Sequence, residues 1–190
     1  MRTKRIRIRN EAAANAAENG LQTLWRSLWR QHIDWARMTM ESMAAGKQDA
    51  QQAGAGLLRN AQDMADALQR QYGPGLATGF GCLMRGHIWI ALRIMEATRA
   101  GDKAAVGALE QERYANANEI AAYLAAINPF LPVGVMTELI RQHQQITGME
   151  VVAIFRGDAA AAQQAYQQNL AQSIVIADTM AAAIARQFPG

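Results

Sequence analysis

The three histidines of this sequence are its most versatile chemical groups, and all three fall in one repeated pattern. The pattern is Leu, an apolar residue, Arg, any residue, His, and it occurs as LWRQH, LMRGH and LIRQH. The copies lie 55 and 56 residues apart and place the histidines at His32, His87 and His143. Imidazole is a ligand for zinc and copper, so three imidazoles at one height predict a site for a zinc- or copper-like ion. Two alternatives remain open: a polar pocket for a small ligand, or core histidines that are each satisfied by a neighbouring amide or a backbone carbonyl.

Glycines that follow the histidines predict which side chains face them. A glycine stands 14 residues after each histidine, at Gly46, Gly101 and Gly157, and indicates the turn of a helical hairpin. Residues equidistant from the turn of an antiparallel hairpin lie at similar heights. This rule places amide side chains on the returning helices opposite the histidines: Asn60 for His32, Asn116 for His87, and Asn169 with Gln172 for His143.

Further polar and aromatic residues complete the predicted ligand-binding set. Asp63 and Glu119 lie about one helical turn beyond the two asparagines, and Trp35 and Arg37 lie on the first helix. Arg30, Arg85 and Arg141 stand two residues before the histidines, at heights where such a carboxylate could meet them. An acid–base enzyme using a histidine with either carboxylate is the least favoured interpretation, because no nucleophile pattern accompanies it. No histidine has a glutamate three residues before it, which excludes the carboxylate-bridged di-iron bundle. We therefore expect no catalytic residues, and we expect ligand contacts from Asn60, Asp63, Asn116, Glu119, Trp35 and Arg37.

The elements that must position these residues are all helical. The chain is rich in alanine and only 6% aromatic, a composition that favours helix over sheet. Three segments run as apolar-periodic helices into a proline stop, at Pro74, Pro129 and Pro189. The prediction is an all-α, six-helix up-and-down bundle built from three repeated α-hairpins of about 55 residues. The predicted helices are 20–45, 49–72, 76–100, 103–127, 133–156 and 159–187.

Charge and cysteine content suggest how the chain is organised and where it acts. Five of the 19 Lys and Arg residues lie in the first ten positions. We expect residues 1–19 to form a basic, flexible arm and residues 20–190 to form one domain with hairpin units 20–74, 75–130 and 131–190. The arm is the only nucleic-acid signal, and no apolar run is long enough to span a bilayer.

One cysteine, Cys82, makes the fold independent of an oxidising compartment, so the cytoplasm is the expected location. A homo-oligomer is compatible with these features.

The sequence also resembles a family of small bacterial helical-bundle proteins of unknown function. The resemblance lies in LWRQHIDWAR, LLRNAQDMA, HIWIA, NANEIAAYLAAINP and the terminal QFP, which together span most of residues 24–189. This chain has Ala36 where the family usually has threonine, and Tyr114 where it usually has tryptophan. Such proteins are sometimes named acetylglutamate kinase, a name that does not fit an all-helical chain without a kinase sheet and phosphate loops. The resemblance implies a helical bundle and points to His32, Trp35, Arg37, Asn60, Asp63, His87, Asn116, Glu119, Asn128 and His143.

Two functions remain in competition at this level. The first is a non-catalytic bundle whose polar interior binds a metal ion or small ligand. The second is a structural or assembly protein in which the histidines satisfy the core and the basic arm contacts a partner. The distances among the three imidazoles distinguish a converging site from separate core residues.

Overall fold

Five helices make up the part of the fold that the structure describes. The computed structural model describes the backbone of residues 2–189 and the side chains of residues 18–189. Within that part all regular structure is helical, which confirms the all-α prediction, and no helix there has the length and apolarity needed to cross a membrane. The predicted arm, residues 1–19, falls almost entirely outside the described side chains and stays a prediction. The helices are α1 (Arg2–Ala44), α2 (Ala50–Ala100), α3 (Lys103–Ile127), α4 (Val133–Phe155) and α5 (Ala159–Gln187).

The predicted count of six helices is wrong. Predicted helices 49–72 and 76–100 belong to the single element α2, in which only Gly73 leaves the helical region, with φ 78° and ψ 170°. Pro74 follows at a position where its fixed φ suits a first helical turn and its missing N–H leaves no bond unmade. A glycine–proline pair therefore bends the chain back without the connecting loop that the proline stop predicted.

The two segments of α2, residues 50–72 and 74–100, pack against each other near this bend. A Cβ atom added at Gly81 would lie 3.0 Å from the Cβ of Ala65, so the two backbones approach closely there. Farther from the bend, Arg85 Nη1 donates a hydrogen bond of 3.1 Å to Gln62 Oε1 across the segments. The second segment of α2 therefore runs in the same direction as α1.

The other turns follow the glycine and aspartate signals of the sequence. Gly46, Gly101 and Gly157 have φ values of 62°, 72° and 72°, the left-handed conformation that glycine adopts without strain. The carboxylates of Asp102 and Asp158 accept hydrogen bonds from Ala105 N and Ala161 N in the first turns of α3 and α5. These caps fix where the returning helices start and therefore the heights of the residues on them.

Most of the interior is apolar, and the helix α1 closes the bundle against α5. α1 packs on both α2 and α5, while α3 packs between α2 and α4. Arg26 and Asp178 form a two-hydrogen-bond ion pair across α1 and α5, at 2.6 and 2.7 Å. Large side chains with 1% exposure or less, such as Trp25, Phe80 and Met136, fill the end of the bundle near the α2 bend. The histidines interrupt this apolar interior near the middle of the helices.

Candidate metal centre

The three histidines converge on one point in the interior. His32 lies on α1, His87 on the second segment of α2 and His143 on α4, and their exposed fractions are 3%, 7% and 2%. The ring centroids are 6.1 Å apart for His32 and His87, 5.8 Å for His87 and His143, and 5.6 Å for His32 and His143. One nitrogen of each ring lies within 4.8 Å of one nitrogen of each other ring. The rings thus form a nearly equilateral triangle across three helices.

Amide side chains determine the tautomers of two of these rings. Asn60 Oδ1 lies 3.1 Å from His32 Nδ1, and Asn169 Oδ1 lies 2.8 Å from His143 Nδ1. An amide oxygen only accepts hydrogen bonds, so each Nδ1 carries the proton and donates it. Both amides are oriented by their NH₂ groups: Asn60 Nδ2 donates to Leu28 O and Asn169 Nδ2 to Thr147 Oγ1. In each neutral ring Nε2 therefore keeps a free lone pair.

His87 has a different and weaker partner. Gln144 Nε2, on α4, lies 3.4 Å from His87 Nδ1 and also donates a 2.9 Å hydrogen bond to Arg113 O. Asn116, which the turn geometry placed opposite His87, donates from Nδ2 to Leu83 O at 3.2 Å. Its Oδ1 is buried without a hydrogen-bond partner among the described residues. His87 therefore has weaker side-chain contacts than the other two rings: Gln144 lies at 3.4 Å, and the side chain of Asn116 beside it acts to raise the pKa of His87 against the larger lowering by burial.

One hydrogen bond recurs in each hairpin. Asn60, Asn116 and Gln172 donate from their side-chain amides to the backbone oxygens of Leu28, Leu83 and Leu139, at 3.0, 3.2 and 2.8 Å. Each accepting leucine stands four residues before a histidine, so its oxygen also accepts the backbone N–H of that histidine within the helix. The returning helix is thus bound directly beneath each imidazole, which holds the three rings at one level. We refer to His32, His87 and His143 together as the histidine layer.

Burial keeps the three imidazoles neutral. It lowers the pKa of His87 from 6.5 to about 3 and that of His143 to about 4, and the positive charge of Arg113 acts in the same direction on both. The pKa of His32 also falls well below its ordinary value because of burial and the proximity of the other two rings. All three rings are therefore uncharged at neutral pH, the protonation state in which imidazole binds metals.

The structure brings together only part of the predicted ligand-binding set. Asn60 and Asn116 contact the helices of the histidine layer, whereas Asp63 and Glu119 are exposed at the surface. Trp35 packs on Gly56, where an added Cβ would lie 2.6–2.8 Å from its ring carbons.

Arg37 is oriented away from the layer. Its Nε donates to Glu41 at 2.8 Å, and its Nη1 lies 3.4 Å from the buried carboxylate of Glu150. The arginines that precede His87 and His143 by two residues do not reach the predicted carboxylates either. Arg85 bonds Gln62, and Arg141 donates to Asn118 at 3.0 Å. Each of these partners is the residue just before Asp63 or Glu119 in the sequence.

Two residues that sequence reasoning missed contact the layer. Trp29 packs edge-on against His32 and His143, with ring centroids 5.5 and 5.6 Å apart, and its Nε1 is buried without a partner among the described side chains. Its position three residues before His32 was the available signal, since both lie on one helix face. Gln144 gave no such signal, because it reaches a histidine of a different hairpin.

Two small cavities flank the histidines. One, of about 10 Å³, is lined by Trp29, Met84, His87 and His143 together with apolar side chains. The other, of about 20 Å³, lies between His87 and Arg113. A water molecule needs about 10–15 Å³, so each cavity has room for roughly one water-sized group.

No protein-family model, curated protein or solved structure matches this chain. The function must therefore be argued from the geometry of the histidine layer.

Proposed function

We propose that this protein binds a single zinc- or copper-like ion through His32, His87 and His143, as a non-catalytic metal-binding bundle. The observation that carries the proposal is the convergence of three neutral, buried imidazoles whose nitrogens lie within 4.8 Å of one another. Histidine rings are scarce in this chain, and all of them contribute to this one group.

The spacing of the rings is close to that of a bound site. With metal–nitrogen distances of about 2.0–2.1 Å, nitrogens in a tetrahedral site lie about 3.4 Å apart. The ring centroids then lie about 3.2 Å from the ion and about 5.2–5.5 Å from one another. The observed centroid separations of 5.6–6.1 Å exceed these values by about 0.1–0.9 Å, and the nitrogens, which lie within 4.8 Å of one another, must also move closer together. Small side-chain rotations therefore suffice to close the triangle on an ion.

Surrounding groups also support metal binding. A metal-bound histidine usually donates its other ring N–H to a carbonyl or carboxylate oxygen, which orients the ring and raises its basicity. Asn60 Oδ1 and Asn169 Oδ1 accept from His32 and His143 in this way. Both rings thus have a free Nε2 and a fixed orientation before any ion binds.

The sizes of the cavities and the positions of the carboxylates argue against the other interpretations. Cavities of about 10 and 20 Å³ have no room for an organic ligand beside the histidines. Asp63 and Glu119, the carboxylates of the acid–base interpretation, are exposed at the surface. A single ion held by the imidazoles is compatible with this space, whereas an organic ligand is not.

One observation favours a second candidate, in which the histidines only satisfy the core. Two of the three Nδ1 atoms already have amide partners, so a protein without metal leaves them no unmet hydrogen bond. In that case the layer would set the register of the hairpins, and the protein would act in assembly.

Metal titration of the purified chain distinguishes the two candidates. Chelator-treated protein is titrated with Zn²⁺, Ni²⁺ and, under reducing conditions, Cu⁺, while bound metal is measured by elemental analysis and unfolding by circular dichroism. We expect one ion per chain and a stabilisation of about 2.7 kcal/mol at a free-metal concentration 100 times the Kd. His87→Gln, which stays neutral and polar, should lose the ion, whereas Asp63→Asn should keep it.

Two results would reject metal binding. One is a folded protein that retains none of the three ions, and the other is a His87→Gln variant that binds as tightly as the parent. Either would leave the core-satisfying role as the explanation of the layer. The triple variant His32→Ala, His87→Ala, His143→Ala serves as a further control if it folds.

A further inference from the structure

Three methionine side chains line the small cavity beside His87 and His143. Met84, Met136 and Met180 line it from α2, α4 and α5, and each is exposed by 2% or less. Thioether sulfur is a soft donor that favours Cu(I), whereas imidazole accepts several metals. The cavity therefore brings three methionine side chains together with two of the three imidazoles.

Met84 stands nearer along its helix to a histidine than Met136 does. It stands three residues before His87 on the same helix, so the two side chains share one face with Cβ atoms about 5–6 Å apart. Met136 stands seven residues before His143, about two turns away. The flexible side chain of Met84 therefore has a shorter path than that of Met136 to an ion held by the imidazoles.

The charge of the surroundings favours a monovalent ion. The three ligands are neutral, and no carboxylate joins their group among the side chains of residues 18–189. Two acidic residues lie in the wider surroundings, but each is already paired: Glu150 with Arg37, and Glu110 with Arg113. The ion would therefore keep its full charge in a buried, largely apolar site.

The desolvation free energy amplifies this preference. The electrostatic part of the solvation free energy scales with the square of the charge. On leaving water, a divalent ion therefore loses about four times as much solvation free energy as a monovalent ion of equal size. A Zn²⁺ ion would offset part of this by binding a hydroxide in the cavity, where Trp29 Nε1–H has no partner among the described residues. Cu⁺ needs no such anion and is satisfied by three nitrogens in a nearly planar triangle.

We propose that the ion is Cu(I), bound by His32, His87 and His143, with the Met84 sulfur as an additional soft donor from the cavity. This inference rests on the proposed metal-binding function and adds the identity of the ion. It assigns Trp29 the role of covering the imidazoles.

Competition between ions tests the choice of Cu(I). The metal-free chain is titrated anaerobically with Cu⁺ against a chromogenic Cu(I) chelator, and separately with Zn²⁺ against a zinc indicator. We expect Cu⁺ to bind at least about 100-fold more tightly than Zn²⁺, a difference of about 2.8 kcal/mol. Zn²⁺ binding as tight as Cu⁺ binding would overturn this inference and leave the metal-binding function standing. Absence of binding by either ion would overturn both.

Paired leucine variants test the role of Met84. Met84→Leu removes the sulfur at nearly constant volume, and Met136→Leu makes the same change in the same cavity about two turns away. We expect Met84→Leu to weaken Cu⁺ binding about tenfold and to remove a sulfur neighbour from the copper X-ray absorption spectrum, while Met136→Leu stays within about twofold. Equal effects of the two substitutions, or an unchanged spectrum in Met84→Leu, would exclude Met84 as a ligand.

Discussion

Acidifying the metal-free protein from about pH 7.5 to about pH 5 should reduce its free energy of unfolding through the buried histidines. Burial lowers the pKa of His87 to about 3 and that of His143 to about 4, whereas both titrate near 6.5 in the unfolded chain. At a pH between these values, the two histidines are therefore protonated in the unfolded chain and neutral in the folded protein. The stabilisation is complete above pH 6.5 and is lost as the pH falls towards the folded-state pKa. Between these two pH values, each of the two histidines lowers the free energy of unfolding by about 2 kcal/mol.

The buried carboxyl group of Glu150 opposes this loss. Burial raises its pKa from 4.5 to about 7, although the charge of Arg37 acts in the other direction and that of Glu41 adds to the increase. Because the folded state binds this proton more tightly, its contribution is complete below pH 4.5 and is lost as the pH rises through 7. Through Glu150, acidification over the same pH interval therefore adds about 2 kcal/mol to the free energy of unfolding. The three groups together predict a net loss of about 2 kcal/mol, and His32 adds to the loss.

The variant Glu150→Gln separates the two effects. Without the titrating carboxyl group, the loss from His87 and His143 rises to about 4 kcal/mol over the interval. Denaturant unfolding of chelator-treated protein at a series of pH values, followed by circular dichroism, measures both slopes. Glu112→Gln, at a half-exposed surface carboxylate paired with Arg93, is the control and should keep the parent slope. A parent stability that does not fall with acid, or a Glu150→Gln slope no steeper than the parent, would refute the assignment of these charge states.

Two further predictions concern packing and the amide partners. Gly56→Ala places a Cβ 2.6–2.8 Å from ring carbons of Trp35 and should lower the free energy of unfolding by about 1 kcal/mol or more. Gly107→Ala, where no described atom lies within 4 Å, should be neutral or stabilising by up to about 1 kcal/mol, and equal denaturation midpoints for the two would contradict the close contact. Asn60→Ala removes the acceptor for His32 and the donor to Leu28 O, so we expect a loss of about 1–3 kcal/mol in urea unfolding and, if metal binds, an affinity about 10–100-fold lower. Asn118→Ala, at an exposed amide that accepts from Arg141, is its control, and a matching loss there would show that the Asn60 contacts contribute nothing specific.

The sequence predicted the heights of the site residues better than their directions. Counting residues from each turn glycine placed Asn60 opposite His32 and Asn169 near His143, and hydrogen bonds join both pairs. The same counting placed Asp63 and Glu119 near the arginines, but the partners are Gln62 and Asn118. One residue corresponds to about 100° of rotation around a helix, which distance from a turn does not specify.

Two other features could not be obtained by counting residues from the turns. The partner of His87, Gln144, comes from a different hairpin, and its contact depends on how α4 packs against α2 and α3. The helix count depended on whether the chain needs a loop to reverse at Gly73 and Pro74. A left-handed glycine followed by proline supplies the reversal in one residue, so the expected gap between two helices is missing.

The composition of the polar layer exceeds what hairpin register alone requires. A single buried polar pair is enough to fix the register of packed helices, and each additional polar group in an apolar core adds a desolvation penalty. In this bundle, hydrogen bonds from three side-chain amides to the backbone oxygens of Leu28, Leu83 and Leu139 already align the two helices of each hairpin, and no histidine side chain takes part in them. An apolar residue at each histidine position would therefore leave the register of the hairpins unchanged. Three buried imidazoles whose nitrogens lie within 4.8 Å of one another are therefore more than the hairpin register requires, which supports the proposal that they bind an ion.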